Sequence, residues 1–169
     1  MLKLLLLSML FVSSIYNISY TNIDGNTVSL NAYQGKKILL VNIATGSNKV
    51  GQLAQLQQLQ LQYQDSLVVI AFPSNSFNHE PQTNAQIKQF CHDNYNNTFL
   101  LGQKIAVTGS GIHPLYNWLA SSSENGVMPV PISTDFQKIL ISGEGALIGV
   151  FAPTITPMDS TIINAITGN

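Results

Sequence analysis

The chain has 169 residues, a formal net charge of −1, 45% apolar residues and a single cysteine. That length suffices for one self-sufficient core, the near-neutral charge removes any electrostatic case for nucleic acid or an anionic membrane surface as partner, and one cysteine excludes an intramolecular disulfide. Only 9% of residues are charged, against about 25% in an average soluble domain, so Asn, Gln, Ser and Thr must supply most of the polar surface.

Residues 1–14 read as a signal peptide: Lys3 is a minimal basic start, Leu4 to Val12 is apolar, and Val12-Ser13-Ser14 offers small residues before a cut. The apolar run is shorter than the roughly 20 residues a membrane-spanning helix needs. The expectation is an exported protein, periplasmic or secreted, with residues 15–169 as one domain; the alternative is a buried N-terminal helix or strand. The sequons at Asn17 and Asn96 matter only in a eukaryotic secretory pathway.

Ile15 to Leu30 alternates apolar and polar residues on both sides of Asp24-Gly25, which predicts an N-terminal β-hairpin with a two-residue type of turn. The branched run Ile38 to Ile43 suits a strand buried on both faces. Behind it, Asn42 to Lys49 forms a Gly/Ser/Asn turn, and Leu53, Leu56, Leu59 and Tyr63 recur at helical spacing, predicting a helix from about Val50 to Tyr63 with glutamines on an uncharged solvent face. Leu67 to Phe72 is the next strand, so the order implies a right-handed parallel crossover. A second helix is predicted over Asn84 to Asn94, an extended piece at Thr98 to Leu101, and a helix opening at His113-Pro114 and running through Trp118 and Leu119. Two strands, Gln137 to Ile141 and Ala146 to Phe151, flank Ser142-Gly143-Glu144-Gly145, and Met158 to Ile166 closes the chain as a helix. Together these give an α/β, thioredoxin-like fold, a central mixed β-sheet flanked by helices.

A helix N-terminus behind a strand leaves free N–H donors and the positive end of a dipole, so Ser47 in the Asn42 to Lys49 turn would sit in that field. Several separated segments resemble the glutathione peroxidase family in order. Ile15-Tyr16 through Asp24-Gly25 and Val28-Ser29-Leu30 is similar to the family's opening. Gly35-Lys36 with Leu40-Val41-Asn42-Ile43-Ala44 resembles its "GKvlLiVNvAS", and Ala71 to Phe77 with Glu80-Pro81 resembles "aFPcNQFg.qEP". Phe90 to Tyr95 with Thr98-Phe99, His113 to Tyr116, and Phe151 to Thr154 with Thr156-Pro157 extend the likeness to the last helix.

The resemblance implies peroxide reduction in the oxidative-stress response, an oxidoreductase chemistry in which a thiolate or selenolate attacks the peroxide oxygen and is then reduced by thiols. A glutamine, a tryptophan and an asparagine surround that nucleophile with N–H donors. Carried onto this chain, the nucleophile falls on Ser47, the glutamine on Ser76 and the tryptophan-asparagine pair on Thr134 and Asp135, so all four positions are substituted. A serine hydroxyl is protonated at neutral pH and has no oxidation ladder, and a carboxylate at Asp135 disfavours an anion beside it. Ser74 replaces a second cysteine frequent in that loop.

Cys91 is the only redox thiol, and its spacing with Ile87, Phe90 and Tyr95 fits a helix face, favouring a buried structural thiol over a reactive one. Ser47 with Asp135 and one of His79, His92 or His113 would compose a hydrolytic triad, although no Gly-x-Ser-x-Gly elbow is present. The histidines have no metal-ligand spacing, and no cofactor is implied. Three functions remain: a pseudoenzyme binding or scaffolding an unidentified protein or small-molecule partner, a thiol-dependent peroxidase reducing hydrogen peroxide or organic hydroperoxides by residual or Cys91-based chemistry with glutathione or thioredoxin as reductant, and a hydrolase at Ser47. Animal-type members bind glutathione through basic residues, and seven Lys and Arg in the whole chain assign no such site.

Overall fold

The computed structural model describes residues 13–168. Of the leader read over 1–14, residues 1–12 lie outside the described residues. Ser13 and Ser14 lie inside: the Ser13 carbonyl accepts the indole N–H of buried Trp118 at 2.7 Å, and Ser14 Oγ accepts the Tyr16 amide at the start of a 3-10 turn, Ile15–Asn17.

Strands β1 (Ser19–Thr21) and β2 (Thr27–Ser29) form a separate antiparallel hairpin. Its loop is longer than the two-residue turn expected from Asp24-Gly25. Asn22 Oδ1 accepts the amides of Asp24 and Asn26, so the side chain closes a five-residue turn over Asn22–Asn26 in which Gly25 takes a left-handed φ of 89°.

The main sheet has five strands in the order β5-β4-β3-β6-β7. Strands β3 (Lys37–Ile43) and β4 (Leu67–Pro73) pair in parallel and are crossed over by helix α1 (Gln52–Tyr63). The short β5 (Leu100–Leu101) extends the parallel side, while β6 (Lys138–Ile141) and β7 (Leu147–Phe151) add antiparallel strands on the other.

Because side chains alternate across a strand, the apolar runs of β3 and β4 feed two cores. Ile38, Leu40, Ile70 and Phe72 pack with Leu115, Tyr116, Trp118 and Leu119 of helix α3 (Pro114–Ala120). Leu39, Val41, Ile43, Val69 and Ala71 pack with Leu53, Leu56 and Leu59 of α1, Ile87 and Cys91 of α2 (Asn84–Tyr95), and Ile162 and Ile166 of α5 (Ser160–Thr167). Helix α2 starts with a capping box, Thr83 with Gln86, and α3 with Pro114 behind its cap His113. A one-turn helix α4 (Ser122–Asn125), unforeseen in the sequence, follows α3; the Asn125 amide group donates to the carbonyls of Trp118, Leu119 and Met128.

The glutamines of α1 are more than a solvent face. Gln52 donates to the Pro153 carbonyl, Gln55 accepts the Met158 amide, Gln57 bonds Thr98 through both its amide ends, and Gln60 accepts the Val69 amide. Uncharged side chains thus tie the helix to three neighbouring segments at positions where a charge would require desolvation.

Candidate active site

Three loops meet beyond the carboxyl ends of β3 and β4. The first is the turn after β3: the Ser47 amide donates to the Ala44 carbonyl and the Ser47 carbonyl accepts the Val50 amide, which winds the chain into α1. Ser47 is buried, and its Oγ accepts the Lys49 amide at 3.3 Å.

The second loop follows β4. The Ser74 amide donates to the Ile43 carbonyl, continuing the β3–β4 pairing one residue past the strand. Ser74 Oγ donates to Ser76 Oγ at 3.1 Å, and Ser76 Oγ also accepts the Val107 amide, so Ser76 is half-buried and its hydroxyl is committed to structure. Glu80 is fully buried, which only strong pairing permits. Its carboxylate accepts the Thr45 amide at 2.7 Å, the Thr45 hydroxyl at 2.8 Å and the Gln82 amide at 3.2 Å, locking the second loop to the first. Gly46 completes the lock: its amide donates to the His79 carbonyl at 3.0 Å, and a Cβ there would lie 2.6 Å from that oxygen.

The third loop precedes β6. The Asn42 side chain donates to the Thr134 carbonyl at 2.9 Å, and the Phe136 amide donates to the Asn42 carbonyl at 2.6 Å. Phe136 has φ 63°, a left-handed conformation costly for an aromatic residue, and its ring is wholly buried. That turn sets Asp135 into the interior, 1% exposed.

Asp135 Oδ2 lies 2.5 Å from Nδ1 of His79, whose side chain is 50% exposed. Asp135 Oδ1 is buried and has no hydrogen-bond partner among the described residues, and the same holds for Asn42 Oδ1. The three loops carrying Ser47, Ser76 and Asp135 are therefore joined through His79, whose backbone holds Gly46 and whose ring holds Asp135. Thr134 is half-buried beside them. Among the described residues no hydrogen bond joins Ser47 Oγ to Ser76, Thr134, Asp135 or His79.

The other sequence candidates lie apart from this pair. His92 is exposed on α2 and pairs with Asp93 at 3.0 Å, while His113 caps α3, its Nδ1 accepting the Leu115 amide, and burial lowers its pKa. Of the three histidines, the structure brings His79 to Asp135. Cys91 is fully buried on the inner face of α2, where burial, reinforced by the carboxylate of Glu80, pushes its thiol up to about 12. Sequence reasoning passed over Lys138, whose side chain is fully buried and donates to the Pro153 and Ile155 carbonyls; burial, with the nearby charge of Lys49, lowers its pKa to about 8. Its only signal was a lysine at the head of an apolar strand. Among the described residues no helix is long and apolar enough to cross a membrane, and no three His, Cys, Asp or Glu side chains cluster as metal ligands.

Comparisons with known proteins bear on this geometry. A sequence model described as Glutathione peroxidase matches residues 15–120. A glutathione peroxidase homologue of Bacillus subtilis, BsaA, is 33% identical over 148 residues, covering 86% of this chain and 92% of the relative. A glutathione peroxidase of Lactococcus lactis is 37% identical over 144 residues, covering 84% and 91%. Among solved structures, the crystal structure of Trgpx in apo form superposes with a TM-score of 0.66 at 30% identity, covering 92% of this chain and 96% of that one. A thiol:disulfide interchange protein of Chlorobium tepidum, at 13% identity, 93% coverage of each chain and a TM-score of 0.64, shares the thioredoxin-like fold.

Proposed function

The chain belongs to the glutathione peroxidase family, and we propose that it is an exported, catalytically degenerate member that keeps the scaffold as a binding protein. One observation carries the reading. At the place where the family resemblance expects an asparagine N–H beside the peroxidatic group, this chain has a buried carboxylate, Asp135, paired with His79, and the nucleophile position holds Ser47. A hydroxyl in that position cannot cycle through a sulfenic acid, and a carboxylate opposes the anion that peroxide cleavage generates. The site is therefore polarised toward a hydrogen-bond donor or cationic group of a protein or small-molecule partner. Residues 1–14 act as the export leader.

The peroxidase alternative rests on Cys91, and the burial of that thiol counts against it. Glutathione or thioredoxin is a partner only under that alternative.

The test is hydrogen peroxide and organic hydroperoxide consumption by the purified mature chain, with thioredoxin or glutathione as reductant, beside Ser47→Cys and Ser47→Cys/Asp135→Asn. No turnover by the natural chain is expected. Activity should appear in the single variant and rise in the double one, because the asparagine restores a donor. Catalytic turnover by the natural chain would overturn the reading.

A further inference from the structure

The pairing of His79 with Asp135 has a chemistry of its own. An ionised carboxylate at Nδ1 fixes the imidazole tautomer with the proton on Nδ1 and the lone pair on Nε2. The His79 side chain is half exposed, and Nε2 has no partner among the described residues. The carboxylate behind it is 1% exposed, and its second oxygen has no partner among the described residues, so the imidazole is the one side chain it is aimed at. The surface pair of His92 and Asp93 has the same residue types, yet both side chains stand in water, where the interaction is weak. A buried carboxylate orienting an exposed imidazole is the arrangement that holds a general base in register for proton transfer.

We propose that His79 and Asp135 form a general-base dyad that hydrolyses small uncharged carboxylic esters, with water as the nucleophile. Water is the nucleophile because Ser47 Oγ has no hydrogen bond to the imidazole and is held by the Lys49 amide. The substrate is uncharged because the buried Asp135 carboxylate repels an anionic one. As the water oxygen bonds to the acyl carbon, its proton passes to Nε2. Collapse of the tetrahedral species breaks the carbon–oxygen bond to the alcohol, and the leaving alkoxide takes that proton back. The products are a carboxylic acid and an alcohol, and Asp135 Oδ2 holds Nδ1 in place throughout.

The test is hydrolysis of p-nitrophenyl acetate by the mature chain, without hydroperoxide or thiol, so its outcome is independent of the peroxidase assay and of partner binding. The expected result is a rate slower in D2O, reduced about 100-fold in His79→Gln and at least about tenfold in Asp135→Asn, the range one general base supplies. His92→Gln should leave it unchanged. Intact-mass measurement during turnover should find no acylated protein. His79 is half exposed and Asp135→Asn preserves shape, so circular dichroism should find both variants folded. A rate equal to the natural chain's in either variant, an equal loss in His92→Gln, or an acyl group trapped on Ser47 would overturn the proposal.

Discussion

The thiol of Cys91 offers a quantitative test of how closed the interior is. A free thiol with a pKa near 8.5 is ionised in about one molecule in four at pH 8. With the thiol pushed up to about 12 by burial and by Glu80, the fraction falls to about one in ten thousand. The thiolate is the reactive form, so ionisation alone slows alkylation by about three orders of magnitude. The side chain is also fully buried under α2, so reagent must wait for the helix to open, which slows labelling further. Iodoacetamide labelling at pH 8, followed by intact mass in the native state and in denaturant, should therefore differ by at least about 1,000-fold. Native labelling within tenfold of the denatured rate would refute this account of the thiol and reopen Cys91 as a redox centre.

Other residues give sharper structural tests. Glu80→Ala should cost about 2–4 kcal/mol in urea unfolding, because the buried Thr45 amide and hydroxyl lose their acceptor; a loss under 1 kcal/mol would contradict the proposed lock. Gly46→Ala should cost about 2 kcal/mol, since the Cβ meets a backbone oxygen that cannot swing aside, and should lower any ester hydrolysis by displacing His79. Burial, then Lys49, holds the Lys138 pKa at about 8, below the unfolded value of about 10.4. The unfolded chain thus binds more protons between these values, and stability gains from Lys138 as pH rises through that window. Measured against Lys138→Met, the natural chain should gain about 1 kcal/mol between pH 8 and 9; parallel pH profiles would refute it.

Much of the architecture was legible because it rests on local pattern. The branched runs of β3 and β4, the 3–4 spacing of Leu53, Leu56 and Leu59, and Pro114 behind His113 are signals contained within a few residues. Boundaries moved where a side chain outbid the pattern: Asn22 lengthened the hairpin loop, and the extended piece after α2 shortened to Leu100–Leu101. The glutamines of α1 read as solvent-facing because amide side chains look alike in sequence whether they meet water or backbone. The contact between His79 and Asp135 spans 56 positions. Three histidines were equal candidates for Asp135, and only the closure of the Glu80 loop on Thr45 selects one. Lys138 was unforeseen for a similar reason, since its acceptors are carbonyls of the Pro153 to Ile155 segment rather than an acidic residue.

The bond from Trp118 to the Ser13 carbonyl ties the N-terminal segment to fluorescence. The chain has one tryptophan, and its indole N–H finds its acceptor at Ser13, ahead of the first 3-10 turn. A chain cut after Ser14 loses the Ser13 carbonyl, and the indole must recruit water or shift. A chain cut upstream of Ser13 keeps the acceptor and a dry indole. The tryptophan emission of a chain that begins at Ile15, set beside that of the full chain, would therefore report whether Ser13 is in place, an optical record of the N-terminus written into the core.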